Sequence, residues 1–175
     1  MIKDVLISIR PEWVDQIIAG KKIFEIRKSA PKIQNMPCKV YIYCTYGDMK
    51  TNYALGKRGF VVGEFTLRKV ETVKKIAIGS AEMEYVNISQ DRDTDWRRHC
   101  GSITTTEIEK YGNGNTLYLW SIQDLKIYNM PLNLAEFGSN EIIYDENTKE
   151  YKPCFVAIGN PPQSWCYVER RKCNE

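Results

Sequence analysis

The sequence predicts an α+β domain, a small β-barrel of about six strands with short helices at its periphery. Three observations lead there. Short runs of β-branched and aromatic residues recur along the chain, separated by brief stretches of helical periodicity and without regular strand-helix-strand alternation, which argues against a doubly wound sheet. The chain has 175 residues, a length that suits one domain. Its residues are 43% hydrophobic and 27% charged, a globular composition unlike that of disordered chains.

Val5-Leu6-Ile7-Ser8-Ile9 reads as a buried strand that stops before Pro11. Pro11 and Glu12 suit a first helical turn, Val14, Ile17 and Ile18 repeat at helical spacing, and Gly20 is the expected cap. Lys22 to Lys28 alternates as a strand with Ile23, Glu25 and Arg27 on one side and Phe24 and Ile26 on the other. Lys39 to Thr45 and Phe60 to Val73 follow as strands, the second long enough to bend near Gly63-Glu64. Between them, Gly47 to Gly59 carries Lys50, Tyr53, Lys57 and Arg58 and reads as an exposed basic loop. Thr104-Thr105-Thr106-Glu107 has the form of a capping box opening a short helix that ends near Gly112. Thr116 to Tyr128 alternates again, Pro131 to Phe137 reads as one helical turn, Glu141 to Lys152 as a polar excursion, and Cys154 to Ile158 as a last short strand.

Charge is unevenly distributed. Residues 1–75 carry +8, residues 76–150 carry −7 and residues 151–175 carry +2, for a net +3. A basic first half beside an acidic middle can steer a polyanion to one face, although both can also be ordinary solvated surface. No apolar run approaches the roughly 20 residues that span a bilayer, and the start lacks the layout of a secretory signal, so a cytoplasmic location without membrane contact is expected. Cys38, Cys44, Cys100, Cys154, Cys166 and Cys173 are scattered, with no C-x-x-C pair, and His99 is the single histidine. Neither a metal nor a cofactor is expected from such spacing.

Gly20-Lys21-Lys22-Ile23-Phe24-Glu25-Ile26-Arg27 matches the pattern G-x-K-x-x-E-x-R and follows a predicted helix. With Gly63-Glu64-Phe65, Tyr118-Leu119-Trp120-Ser121-Ile122 and the ending Pro161-Pro162-Gln163-Ser164-Trp165-Cys166-Tyr167-Val168, the chain resembles the ASCH domain family, and within it the phage and prophage proteins of Gram-positive bacteria. The resemblance covers residues 1–175 as one domain, with the signature at 20–27 and residues 153–168 packing back on the barrel. It implies a PUA-like barrel with a cleft for RNA or a nucleotide-like ligand, with DNA as an alternative.

Glu25 and Arg27, two apart on a strand, emerge on one face beside Lys22 and can offer an acceptor next to a planar donor fork. The other reading of these residues is a structural ion pair that closes the fold. Lys22, Glu25, Arg27, Glu64, Ser164 and Trp165 are the expected ligand-binding residues, and Lys22 and Glu25 the candidates for any catalysis. Trp13, Tyr46, Tyr53 and Trp120 are further candidates for base stacking, Trp120 being better explained as core. Family members of the N4-acetylcytidine amidohydrolase type have a threonine where this chain has Glu25, which removes the expected nucleophile; Lys22 would remain as base, with Glu107 a candidate partner. A ribonuclease would need a lysine, a tyrosine and a serine to converge.

The cysteine spacing generates a first prediction. Chelator and reductant are expected to leave the thermal midpoint of the protein unchanged, and stoichiometric zinc in the purified protein would contradict it.

Overall fold

The computed structural model describes residues 3–46, 57–78, 82–90 and 94–171. β1 (Asp4–Ile9) ends where Pro11 opens α1 (Pro11–Ile18). The α1 amphipathic face buries Val14 and Ile17, and the chain leaves the helix through Gly20 at φ +69°, a left-handed conformation that glycine adopts without strain. β2 (Phe24–Arg27) and β3 (Cys38–Cys44) follow.

The long apolar stretch expected to bend at Gly63 is two strands, β4 (Phe60–Leu67) and β5 (Val70–Ile78), which lie in different sheets. The later alternating stretch divides in the same way at Ile122, into β7 (Leu117–Ser121) and β8 (Gln123–Leu132). The two crossing points are tied together. Lys69 N–H donates to Ser121 Oγ at 3.1 Å, and Ser121 N–H donates to the Lys69 carbonyl at 3.0 Å.

Between these pairs come β6 (Glu82–Asn87), α2 (Trp96–His99) and α3 (Thr105–Gly112). The capping box read from Thr104 and Glu107 is formed in both directions and starts α3. β9 (Phe137–Asp145), β10 (Glu150–Ala157) and β11 (Trp165–Arg170) complete the chain. Glu141 to Lys152, expected to be a polar excursion, is the outer part of a β9–β10 hairpin, and the short strand expected over Cys154 to Ile158 falls on the second half of β10.

The strands form a seven-stranded sheet in the order β10-β9-β11-β1-β3-β4-β8 and a four-stranded sheet in the order β2-β7-β5-β6. This corrects the expected barrel of about six strands: among the described residues eleven strands make two open sheets. The reason lies at the crossing points, where the backbone leaves one ladder and enters the other, so no ladder among the described residues closes on itself. The mixed α+β class stands, with strands dominant and helices short.

Three cores separate the layers. The first lies between the sheets, where Val5, Ile7, Val40, Ile42 and Val62 meet Val14 and Ile17 of α1 and Trp120 of β7. The second joins Phe24, Ile26, Val73, Leu117 and Leu119 to Trp96 and Ile108 of the helical segment, on the other face of the small sheet. The third covers the outer face of the large sheet, around Leu6, Tyr41, Tyr43 and Phe137. No helix among the described residues is long and apolar enough to cross a membrane.

α3 packs against Tyr85 without spare room, since a Cβ at Gly112 would run into the phenol oxygen. Gly112→Ala is expected to cost about 1–3 kcal/mol by overpacking. Urea denaturation checks this, and an unchanged midpoint would show that Tyr85 yields freely.

Candidate functional site

Alternation along β2 sends Phe24 and Ile26 into the second core and Glu25 and Arg27 the other way. Glu25 stands opposite Trp120 on β7 and shares its face, toward the space between the sheets. There the carboxylate meets two cations. Lys22 Nζ lies 3.3 Å from Glu25 Oε2, and an Arg27 Nη lies 3.2 Å from Glu25 Oε1.

Each cation is also anchored elsewhere. Lys22 donates to the Cys100 carbonyl at 3.0 Å and sits 5.3 Å from the centre of the Trp13 ring. Arg27 donates to the Ser8 carbonyl at the end of β1, at 2.6 Å. The phenol of Tyr111, from α3, adjoins Arg27; burial pushes this phenol up from its usual range, while the Arg27 charge and hydrogen bond pull it back. The three charged side chains are only 5%, 7% and 13% exposed, for Lys22, Glu25 and Arg27 in turn. Arg27 Nε has no hydrogen-bond partner, and Glu25 Oε2 faces Lys22 outside hydrogen-bond geometry. The cluster is thus held by charge more than by directed bonds.

The end of β1 is a meeting point. β3 runs parallel to β1, and Thr45 N–H donates to the Ile9 carbonyl at 2.9 Å. Gly59 N–H donates to the Cys44 carbonyl at 2.8 Å, with the exposed Tyr46 ring against Gly59. From the other side, Ser8 N–H donates to the Ser164 carbonyl at 2.9 Å and Ser8 Oγ to the Pro162 carbonyl at 2.6 Å. The half-buried Trp165 donates from Nε1 to Ser29 Oγ at 2.9 Å and meets Trp120 edge-on at 5.4 Å. Segments carrying Arg10, Tyr46, Arg58, Ser164 and Trp165 therefore meet at the end of β1 and the adjoining end of β3, and Arg27 donates to the same end of β1. Lys50 and Tyr53 lie outside the described residues.

Glu64 is elsewhere. It faces the third core, where it accepts from Tyr128 and lies 3.1 Å from Lys39 Nζ. Burial pushes its carboxyl up, but the hydrogen bonds from Tyr128 and Lys39 and the charges of Lys39 and Lys126 hold it below the usual range. Glu107 caps α3 and is not brought to Lys22. Arg10 is not among the residues expected above, although the sequence carried a signal for it, a cation between a strand end and a helix start. It offered none for Ser29 or Tyr111, whose roles depend on contacts made across the fold.

Two cavities also lie nearby or beyond. One of about 720 Å³ runs between α1 and residues 98–102, with Glu12, Asp15, Lys21, Arg98 and His99 on its walls. Another of about 300 Å³ lies beside β6, against Arg97 and Trp96. Neither is lined by Lys22, Glu25 or Arg27.

Removing one partner from a buried ion cluster strands the others in a poorly solvating interior. Glu25→Ala is expected to cost about 3–5 kcal/mol, with a smaller loss for Glu25→Gln, which keeps the shape and an acceptor. Chemical denaturation reads this difference, and a loss within error for Glu25→Ala would show that the cluster is not structural.

The ASCH domain family model matches residues 7–159. No curated protein matches the chain. Among solved structures, it is similar to an ASCH protein from Zymomonas mobilis, at 18% identity and a TM-score of 0.57, over 97% of this chain and 90% of that one. Two variants of that Zymomonas mobilis protein give the same 18% identity. One, with a tyrosine replaced by phenylalanine, has a TM-score of 0.55 over 95% of this chain and 91% of that one. The other, with a serine replaced by alanine, has a TM-score of 0.54 over 96% and 89%. At this identity the likeness speaks for the fold, and the family match spans most of the length. The G-x-K-x-x-E-x-R segment at the heart of the cluster, the layered strands and that match agree: the chain belongs to the ASCH domain family.

Proposed function

We propose that this protein binds RNA or a nucleotide-like ligand at the shared end of β1, β3 and β11, with the Lys22, Glu25 and Arg27 cluster as the floor of the site. The observation that carries this reading is the hydrogen bond from Arg27 to the Ser8 carbonyl. It brings a guanidinium to a strand end whose neighbouring segments supply Arg10 and Arg58 for phosphates and Tyr46 and Trp165 for bases. The charge of +8 over residues 1–75 supports the same polarity. Glu64, on the other face of the sheet, has no part in it.

A hydrolase would need Lys22 as a base. Its Nζ is enclosed by Glu25, the Cys100 carbonyl and the Trp13 ring, an arrangement suited to holding a cation in place. Binding is therefore preferred to turnover.

Short single-stranded RNA is expected to bind with affinity that falls steeply as salt rises. Replacing Arg10 and Arg58 together by alanine should weaken all sequences alike and reduce the salt slope by about two, one for each lost phosphate contact. Trp165→Ala should weaken binding about tenfold or more through lost stacking. Fluorescence anisotropy across salt concentrations, with RNA and DNA of the same sequence, reads these effects. Absent or salt-insensitive binding would overturn the proposal.

A further inference from the structure

Among the described residues β9 pairs with the body of the large sheet only at its start, where Phe137 and Gly138 stand opposite Arg170 and Glu169 of β11, and Asn140 donates from its side chain to Glu169. Beyond that point β9 and β10 pair with each other and form a projecting two-stranded arm. Opposed residues share a face, so Ile142 with Pro153 and Tyr144 with Tyr151 make one apolar side. Ile142 and Tyr151 are 75% and 74% exposed, and the two tyrosine rings lie 5.2 Å apart. β10 is also an edge of the large sheet, with one side of its backbone unpaired among the described residues. A two-stranded hairpin is marginal alone in water, and an open edge strand is a template for another strand.

We propose that the arm docks a second copy of this chain, β10 against β10, antiparallel about a two-fold axis at Tyr151. The register follows from the sequence of the edge. Pro153 has no N–H to donate, so a ladder is interrupted there, and it is the charged residues before it that can set a register. Those residues read Glu150-Tyr151-Lys152, which is self-complementary. Centring the pair on Tyr151 sets each Glu150 opposite the other copy's Lys152 and brings the two tyrosines together. Centring it on Glu150 or Lys152 would oppose like charges.

The same charges disfavour nucleic acid here, since Glu141, Asp145, Glu146 and Glu150 outnumber Lys149 and Lys152 along the arm. The closed two-fold contact satisfies both edges at once, and Pro153 limits its length. Lys152 already reaches Asp145 of its own arm at 3.3 Å, which keeps its ammonium near the edge. This inference is independent of the ligand site.

Sedimentation of the full chain over a range of concentrations tests it. The parent is expected to show a reversible monomer–dimer equilibrium. Glu150→Lys and Lys152→Glu should each raise the dissociation constant about tenfold by opposing like charges, and the double exchange should restore it. Tyr151→Ser, which leaves the charges intact, should weaken the dimer as well. Circular dichroism and thermal melting verify that each variant is folded. A monomer at every concentration, a dimer indifferent to these changes, or a double exchange no better than the single ones would overturn the proposal.

Discussion

Glu25 holds this fold in register. One carboxylate lies between two cations whose other contacts belong to different parts of the chain. Through Lys22 it is connected to Trp13 on α1 and to the carbonyl of Cys100 beyond α2. Through Arg27 it is connected to the end of β1 in the other sheet, with Tyr111 of α3 alongside. The small sheet, the large sheet and the helical segment thus converge on a single anion. Burying three charges costs several kcal/mol for each ion, and their attraction offsets this only in good geometry, so the cluster acts as a specificity device more than as a source of net stability.

The cluster also has a sign. Two cations and one anion leave a positive excess at the boundary between the sheets, and Arg27, the most exposed of the three, leans toward the strand end. A structural cluster and a binding surface therefore need not be separate things. The buried part fixes the backbone, and the guanidinium at its rim places positive charge where the β1–α1 and β3–β4 connections supply more.

The signature segment, α1 and the α3 capping box were readable because each is a local pattern: alternation, a proline at a helix start, a serine- or threonine-type cap paired with glutamate. The division of Phe60–Val73 and of Thr116–Tyr128 was not readable. What divides them is a pair of hydrogen bonds between Lys69 and Ser121, 52 residues apart. Of the β9–β10 hairpin only the strand around Cys154 to Ile158 was legible, because the rest is polar on one face and carries no core to announce it.

The sequence by itself determined the family, the strand-rich class, the helix after β1 and the grouping of Lys22, Glu25 and Arg27 near one strand, since spacing along a helix or strand decides which face a side chain takes. Only the tertiary structure decided that the sheets stay open, that Glu64 faces away from the signature, and that the three charges are buried with Arg27 alone leaning outward. Those outcomes depend on which strands pair and which segments cover them, and pairing is set by contacts between residues far apart in the chain.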